Sequence, residues 1–266
     1  MGPGPVGVSG SQVQVQVQVP AGPFPGGAPV VGVLLAAGAG RRLGRGPKAL
    51  LCMDGMPQVV RMARALLRGG CDAVVVVLGA SDEEVRRILD GALTGTPEGQ
   101  RVHTVVNADW ESGMGSSFRL GIETADRLLA PSGPSSGLVV VALVDQPDVG
   151  EAVVRRLLAS ATASTTTGST GSTSATAQAI GPRVTAAGYP DAQGRLVRSH
   201  PLVFPRPWAR EAAALAAGDA AGRVWLSSHP EVVDVVDVGH LATGRDVDTP
   251  QDLDRLGPGT EADVRA

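Results

Sequence analysis

The chain has 266 residues, of which 43% are apolar and 18% charged, with a formal net charge of −3 at pH 7. That composition belongs to a globular protein with a sizeable core. It excludes a general nucleic-acid binder, which needs a basic excess, and no apolar run reaches the roughly 18 residues of a membrane span.

The first 29 residues combine Gly, Pro and an alternating "QVQVQVQV". The breakers argue for a disordered tail rather than a strand. No basic stretch leads into an apolar block, so a secretory leader is not expected. Cys52 and Cys71 lack the spacing of a zinc site, and two reduced thiols in a cytoplasmic protein are the expectation.

Structure is expected from Val30 to about residue 258. Residues 30–36 read as a buried strand, and residues 59–67 as a helix closed by Gly69 and Gly70. "AVVVVLG" is the next buried strand. "SDEEVRRIL" starts a helix with Ser81 and Glu84 at the spacing of a capping box. "VHTVVN" is a strand, residues 116–129 a helix, and "LVVVALVDQP" a further apolar strand. Such runs belong in a sheet covered on both faces, and their alternation with helices makes most of it parallel.

A helix over residues 151–159 is followed by "SATASTTTGSTGSTSATAQ", residues 160–178, too poor in apolar side chains to bury a core and expected to be flexible. A β-hairpin turning at "DAQG" comes next, expected as a small lid. A helix over residues 208–217, a strand at "EVVDVVDV" and a last helix opened by Thr249 and Pro250 complete the domain. Residues 259–266 read as a disordered end.

In a sheet of this kind ligands bind beyond the carboxyl ends of the strands. The loop after the first strand holds Gly38 and Gly40 together with Arg41, Arg42, Arg45 and Lys48. Glycines let backbone N–H groups line a concavity, and the cations neutralise phosphate oxygens. Gly38, Gly40 and Gly44 mimic a dinucleotide fingerprint, but the loop runs on through "RGPKALLCMDGMP" before any helix starts. Four cations also exceed what a pyrophosphate diester needs, so a nucleoside triphosphate fits better. Asp145 in "VDQPD" and Asp246 and Asp248 in "GRDVDTP" each follow a strand, and carboxylates converging near a polyphosphate point to Mg²⁺.

"LAAGAGRRLGRGPKALL" resembles the signature of the MobA-like NTP transferase family, with Leu43 where methionine is usual. The resemblance continues through "NADWESGMGSSFRLGI", "VDQPD", "SHPLVF", "AGDAAGRVWL" and "RDVDTPQDL", and is greatest to molybdenum-cofactor cytidylyltransferases. It implies a Rossmann-like α/β fold and transfer of a nucleotidyl group, CMP from CTP, to a phosphorylated acceptor such as molybdopterin, with release of pyrophosphate. Relatives that use GTP tend to show glycine where this chain has Ala37. Under the resemblance Leu35, Ala36, Ala37, Gly38, Gly40, Arg42, Lys48 and Asn107 bind the nucleotide, and Arg42, Lys48 and Asp145 are catalytic. Asp145, Asp246 and Asp248 hold Mg²⁺, while Gly113, Ser116, Ser117 and His200 face the acceptor. A molybdoenzyme would receive the product; neither nucleic acid nor membrane is an expected partner. The competing readings are a guanylyltransferase acting on phospholactate or a related small phosphate in deazaflavin-cofactor synthesis, and a non-catalytic nucleotide- or cofactor-binding chaperone.

Overall fold

The computed structural model describes residues 28–166 and 182–256. Most of the expected tail, the insertion beyond residue 166 and the chain end beyond residue 256 lie outside the described residues.

Nine strands and six α-helices make up the described fold. The strands are β1 (Val30–Leu35), β2 (Cys52–Met53), β3 (Met56–Pro57), β4 (Ala73–Leu78), β5 (Val102–Val106), β6 (Leu138–Leu143), β7 (Val184–Pro190), β8 (Leu196–Pro205) and β9 (Val233–Asp237). The helices are α1 (Gln58–Gly69), α2 (Asp82–Leu93), α3 (Met114–Leu129), α4 (Glu151–Thr166), α5 (Arg206–Ala214) and α6 (Arg223–Ser228). Seven strands form one sheet in the order β5-β4-β1-β6-β8-β7-β9, and β2 and β3 form a small separate ribbon. Every pairing in the large sheet is parallel except the two made by β8.

The apolar runs divide strictly by parity. Leu34, Val74, Val76 and Val140 join one cluster with residues of α1, α2 and α4, such as Leu66, Leu89 and Leu157. Val33, Val75, Val77 and Val141 join another with Phe118 and Ile122 of α3, Ala212 of α5 and Trp225 of α6. Successive strand side chains point to opposite faces, so a sheet covered on both sides has no polar register. None of the described helices is long and apolar enough to cross a membrane.

Three expectations change. The hairpin expected as a lid is built into the sheet: β8 pairs with both β6 and β7, and its end from Leu202 to Phe204 is core. Its apolar half needs cover on both faces, which a free lid does not provide. The helix expected over residues 151–159 continues as α4 to Thr166. Ala161 is buried and the Thr162 hydroxyl donates to the Leu158 carbonyl at 3.0 Å, so small residues continue the helix while one face still packs. The capping box at Ser81 does not form: Ser81 takes a left-handed backbone (φ 53°) with no side-chain cap, and Asp82, Glu83 and Glu84 in the first turn complement the helix dipole.

Candidate active site

Strand order reverses between β1 and β6, the place where doubly wound sheets open a ligand crevice. The loops that follow these two strands, residues 36–48 and 144–148, meet there. Backbone bonds fasten the first to its neighbours: Ala36 N–H donates to the Val77 carbonyl at 3.0 Å, Ala80 N–H to the Ala37 carbonyl at 3.1 Å, and Val144 N–H to the Leu35 carbonyl at 3.2 Å. Gly40 has φ 63° and accepts from the N–H groups of Leu43 and Gly44; a Cβ on it would lie 2.2 Å from the Gly46 carbonyl oxygen. Only glycine closes this turn without strain.

The loop is held from below by a small apolar cluster of Leu43, Leu51 and Val247. Val247 lies between Asp246 and Asp248, is 1% exposed, and donates its N–H to the Asp145 carbonyl at 2.9 Å. An extended Asp-Val-Asp stretch alternates its side chains. Burying the valine therefore turns the carboxylates the other way and brings the end of the chain to the β6 loop.

Lys48 Nζ lies 2.7 Å from Asp145 Oδ2 and also pairs with Asp248 Oδ1. Burial opposes the ammonium charge, but the two carboxylates outweigh it and raise the lysine pKa. The Asp246 carboxyl is pushed up by burial and by the nearby charges of Asp145 and Asp248, although Gln146 Nε2 donates to it at 3.0 Å. Arg42 meets Asp248 at 3.4 Å from a side chain that is 79% exposed, so that pair is weak. Arg41 pairs with Glu111 and lies 5.6 Å from the centre of the Trp110 ring.

These groups rim a cleft of about 420 Å³, lined among others by Ala37, Gly38, Gly40, Arg42, Lys48 and Asp145. Leu35 also reaches it, whereas Ala36 is buried in the core. Among the described residues no three His, Cys, Asp or Glu side chains already form a metal-holding group. The Lys48 ammonium bridges Asp145 and Asp248. The donors are hard oxygens, and Gln146 Oε1 is buried with no hydrogen-bond partner among the described residues. Such a set suits Mg²⁺ or Mn²⁺, which commonly take one or two carboxylates and complete their shell with phosphate and water.

Asn107 is placed differently from expectation. It is buried, with its Nδ2 donating to Ser116 Oγ at 2.8 Å and Ser117 Oγ at 2.9 Å and its Oδ1 accepting from Asp109 N–H at 3.0 Å. It ties the end of β5 to the start of α3 and does not line the cleft. Ser116 is occupied likewise, against the Asp109 and Gly113 carbonyls. Gly113 and Ser117 line the first cleft, while His200 lines a separate cleft next to it. Gly113, Ser116 and Ser117 thus stay together at the start of α3, while His200 lies apart in the neighbouring cleft, which shares Met114 and Asp219 with the first. The "GMGSS" glycines serve close packing: a Cβ on Gly115 would lie 2.8 Å from the Ala217 backbone nitrogen, and one on Gly113 2.5 Å from the Gly218 carbonyl. Sequence reasoning gave no role to Trp110, Asp219 and Gln146, each signalled only by its place inside "NADWESGMGSSFRLGI", "AGDAAGRVWL" or "VDQPD".

A glycine loop with a cationic rim at a sheet switch point, beside a lysine set between carboxylates, is the arrangement of an α/β protein of the nucleotidyltransferase class. The chain belongs to the family of the MobA-like NTP transferase domain, whose model matches residues 32–233. It is 40% identical over 229 residues to the nicotine blue oxidoreductase of Paenarthrobacter nicotinovorans, covering 85% of this chain and 96% of that protein. A nucleotidyl transferase from Methanothermobacter thermautotroptrophicus shares the fold with a TM-score of 0.61 at 23% identity, covering 85% of this chain and 95% of that one. A manganese complex of Rv0371c from Mycobacterium tuberculosis H37Rv superposes with a TM-score of 0.53 at 26% identity, covering 87% and 98%. Divalent metal is thus found with a protein of similar structure.

Proposed function

We propose that the protein is a metal-assisted cytidylyltransferase that moves CMP from CTP to the terminal phosphate of molybdopterin. The observation that carries this reading is Lys48 set between Asp145 and Asp248 at the mouth of the glycine loop. Holding a nucleotide does not require that group; neutralising charge as the α-phosphate is attacked does. The triphosphate lies along residues 38–48, with Arg42 and Lys48 on its oxygens. An oxygen of the acceptor phosphate attacks the α-phosphorus, the bond to the bridging oxygen breaks, and pyrophosphate leaves with the electron pair. No side-chain nucleophile takes part. Mg²⁺ or Mn²⁺ held by Asp145 and Asp248, with Asp246 beside them, would supply charge neutralisation and alignment. Lys48 gives up carboxylate contacts as phosphate oxygens replace them. Ala37 lines the cleft, and its methyl group narrows the space where GTP-using relatives tend to have glycine, which favours the smaller pyrimidine. The product would pass to a molybdoenzyme.

One observation favours a second reading. The Paenarthrobacter relative, aligned over nearly its whole length, is named for oxidation–reduction. In that case the same loop would hold the diphosphate of a reduced nicotinamide dinucleotide, which passes hydride to an aromatic pigment while solvent supplies a proton. The two readings part in one experiment. Pyrophosphate release is measured with each of the four nucleoside triphosphates, Mg²⁺ or Mn²⁺, and molybdopterin or phospholactate. Loss of reduced nicotinamide absorbance is followed in parallel with a quinoid dye. Release with CTP and molybdopterin is the expected result. Silence with every pair, together with dye-dependent nicotinamide oxidation, would replace transfer by reduction.

A further inference from the structure

Beside the nucleotide cleft lies a second one of about 250 Å³, and the two share Met114 and Asp219 as a common wall. One side of it comes from β8, with Arg198, Ser199, His200 and Leu202; the other comes from α6, with Arg223 and Leu226, and the turn before it. We propose that this cleft is the acceptor's own pocket: Arg198 and Arg223 grip the negative charge of a phosphorylated small molecule, and Met114, Leu202 and Leu226 cover its apolar ring system. The proposal rests on the transferase reading for the word acceptor, but the pocket itself does not.

Three observations support it. Arg198 and Arg223 have no ion-pair partner among the described residues, whereas Arg41 and Arg42 at the nucleotide cleft each have one. An unpaired guanidinium beside a concavity is a standing site for phosphate or carboxylate. Next, the acid on this lining is Asp219 alone, on the wall shared with the nucleotide cleft. Burial pushes the His200 imidazole down to about 4, offset in part by Asp145 and reinforced by Arg198, so it is a neutral polar wall near pH 7. Finally, the pocket is joined to the reacting end of the nucleotide site. Gln146 Nε2 contacts Ser199 Oγ at 3.3 Å and Asp246 Oδ1 at 3.0 Å, so one amide touches both the pocket wall and the carboxylate group. Met114, 40% exposed at the shared wall, gives an adaptable apolar contact at that threshold.

Phenyl phosphate, a ring bearing a phosphate monoester, is a suitable probe. It is titrated calorimetrically into the wild-type protein, with and without saturating CTP and Mg²⁺, and into Arg198→Gln, Arg223→Gln and the double variant. Both arginines reach the surface, and thermal melting checks that the variants fold. Binding that persists beside CTP, weakened about tenfold by each substitution while CTP affinity stays within about twofold, is the expected outcome. Phenol should bind far more weakly than phenyl phosphate, which separates charge from ring burial. Competition between CTP and phenyl phosphate would place the probe on the glycine loop and overturn the proposal. So would equal binding to the double variant, or no binding to the wild type. Arginine-dependent binding in a protein that releases no pyrophosphate would uphold the pocket and remove only the transferase reading.

Discussion

Residues 36–48 and residues 113–117 are both rich in glycine, both follow a strand, and both border the same cleft. Their glycines work differently. In the first segment Gly40 is needed for its own left-handed turn, so the chain folds back on itself and presents a cationic rim to the cleft. In the second, Gly113 and Gly115 are needed because another part of the backbone, residues 217–219, passes directly over the start of α3. One segment is open to an incoming anion, while the other is already covered by the protein, with the carboxylate of Asp219 next to Gly113. What approaches a glycine therefore matters more than how many glycines a loop holds.

The largest effect that can break this comparison lies at Lys48. Replacing it with alanine removes a charge contact to the transition state, and the turnover number should fall on the order of 10²- to 10³-fold. Unimpaired pyrophosphate release by Lys48→Ala would deprive the open loop of its catalytic role. A paired test follows. Gly40→Ala should lower kcat/KM for the nucleotide by at least about tenfold, with a folding cost of about 1–2 kcal/mol for its left-handed backbone. Gly115→Ala should cost about 1–3 kcal/mol of stability through overpacking, with nucleotide KM within about twofold. Urea unfolding and steady-state kinetics on both proteins read the two quantities; equal losses of nucleotide affinity would erase the distinction.

A third test is a pH dependence of stability on the far side of the covered segment. The His200 imidazole titrates near 6.5 when the chain is unfolded and is pushed down to about 4 by burial when it is folded. Between those values the unfolded chain binds a proton that the native protein refuses, so stability falls as pH drops through that window and levels off below it. The loss has an upper bound of about 3 to 4 kcal/mol. His200→Gln should show a smaller difference between urea midpoints at about pH 7.5 and about pH 4.5 than the wild type does. An unchanged difference would remove His200 as its source.

Much of the architecture was legible because β1, β4 and β6 are continuous apolar runs, a pattern that water excludes from any exposed face. Lys48, Asp145 and Asp248 were legible because each follows a strand end, and strand ends of a parallel sheet share one edge. The integration of β8 was not, since a hairpin reads the same whether its outer edge meets water or another strand. Nor was the extension of α4, where alanine and threonine fit a helix and a linker alike. The packing role of Gly113 and Gly115 depends on a segment about a hundred residues later in the chain, and no local pattern announces such an approach. Arg198 and Arg223 come together for the same reason, across different elements.

The burial of Val247 also sets an order of assembly. During synthesis β1, β4, β5 and β6 can pair, and α1 and α3 can cover them, before residue 247 exists. Through that interval Leu43 of the glycine loop lacks its Val247 contact, and Lys48 lacks the second carboxylate that pairs with it. Contacts so distant along the chain form late, because the loop they close is long. Val247 joins Leu43 and Leu51, and Asp248, the next residue, adds the second carboxylate to Lys48, so the apolar contact and the ion pair depend on the same short segment. A nascent chain would thus carry the completed Lys48 charge group only once residues 247 and 248 have been made.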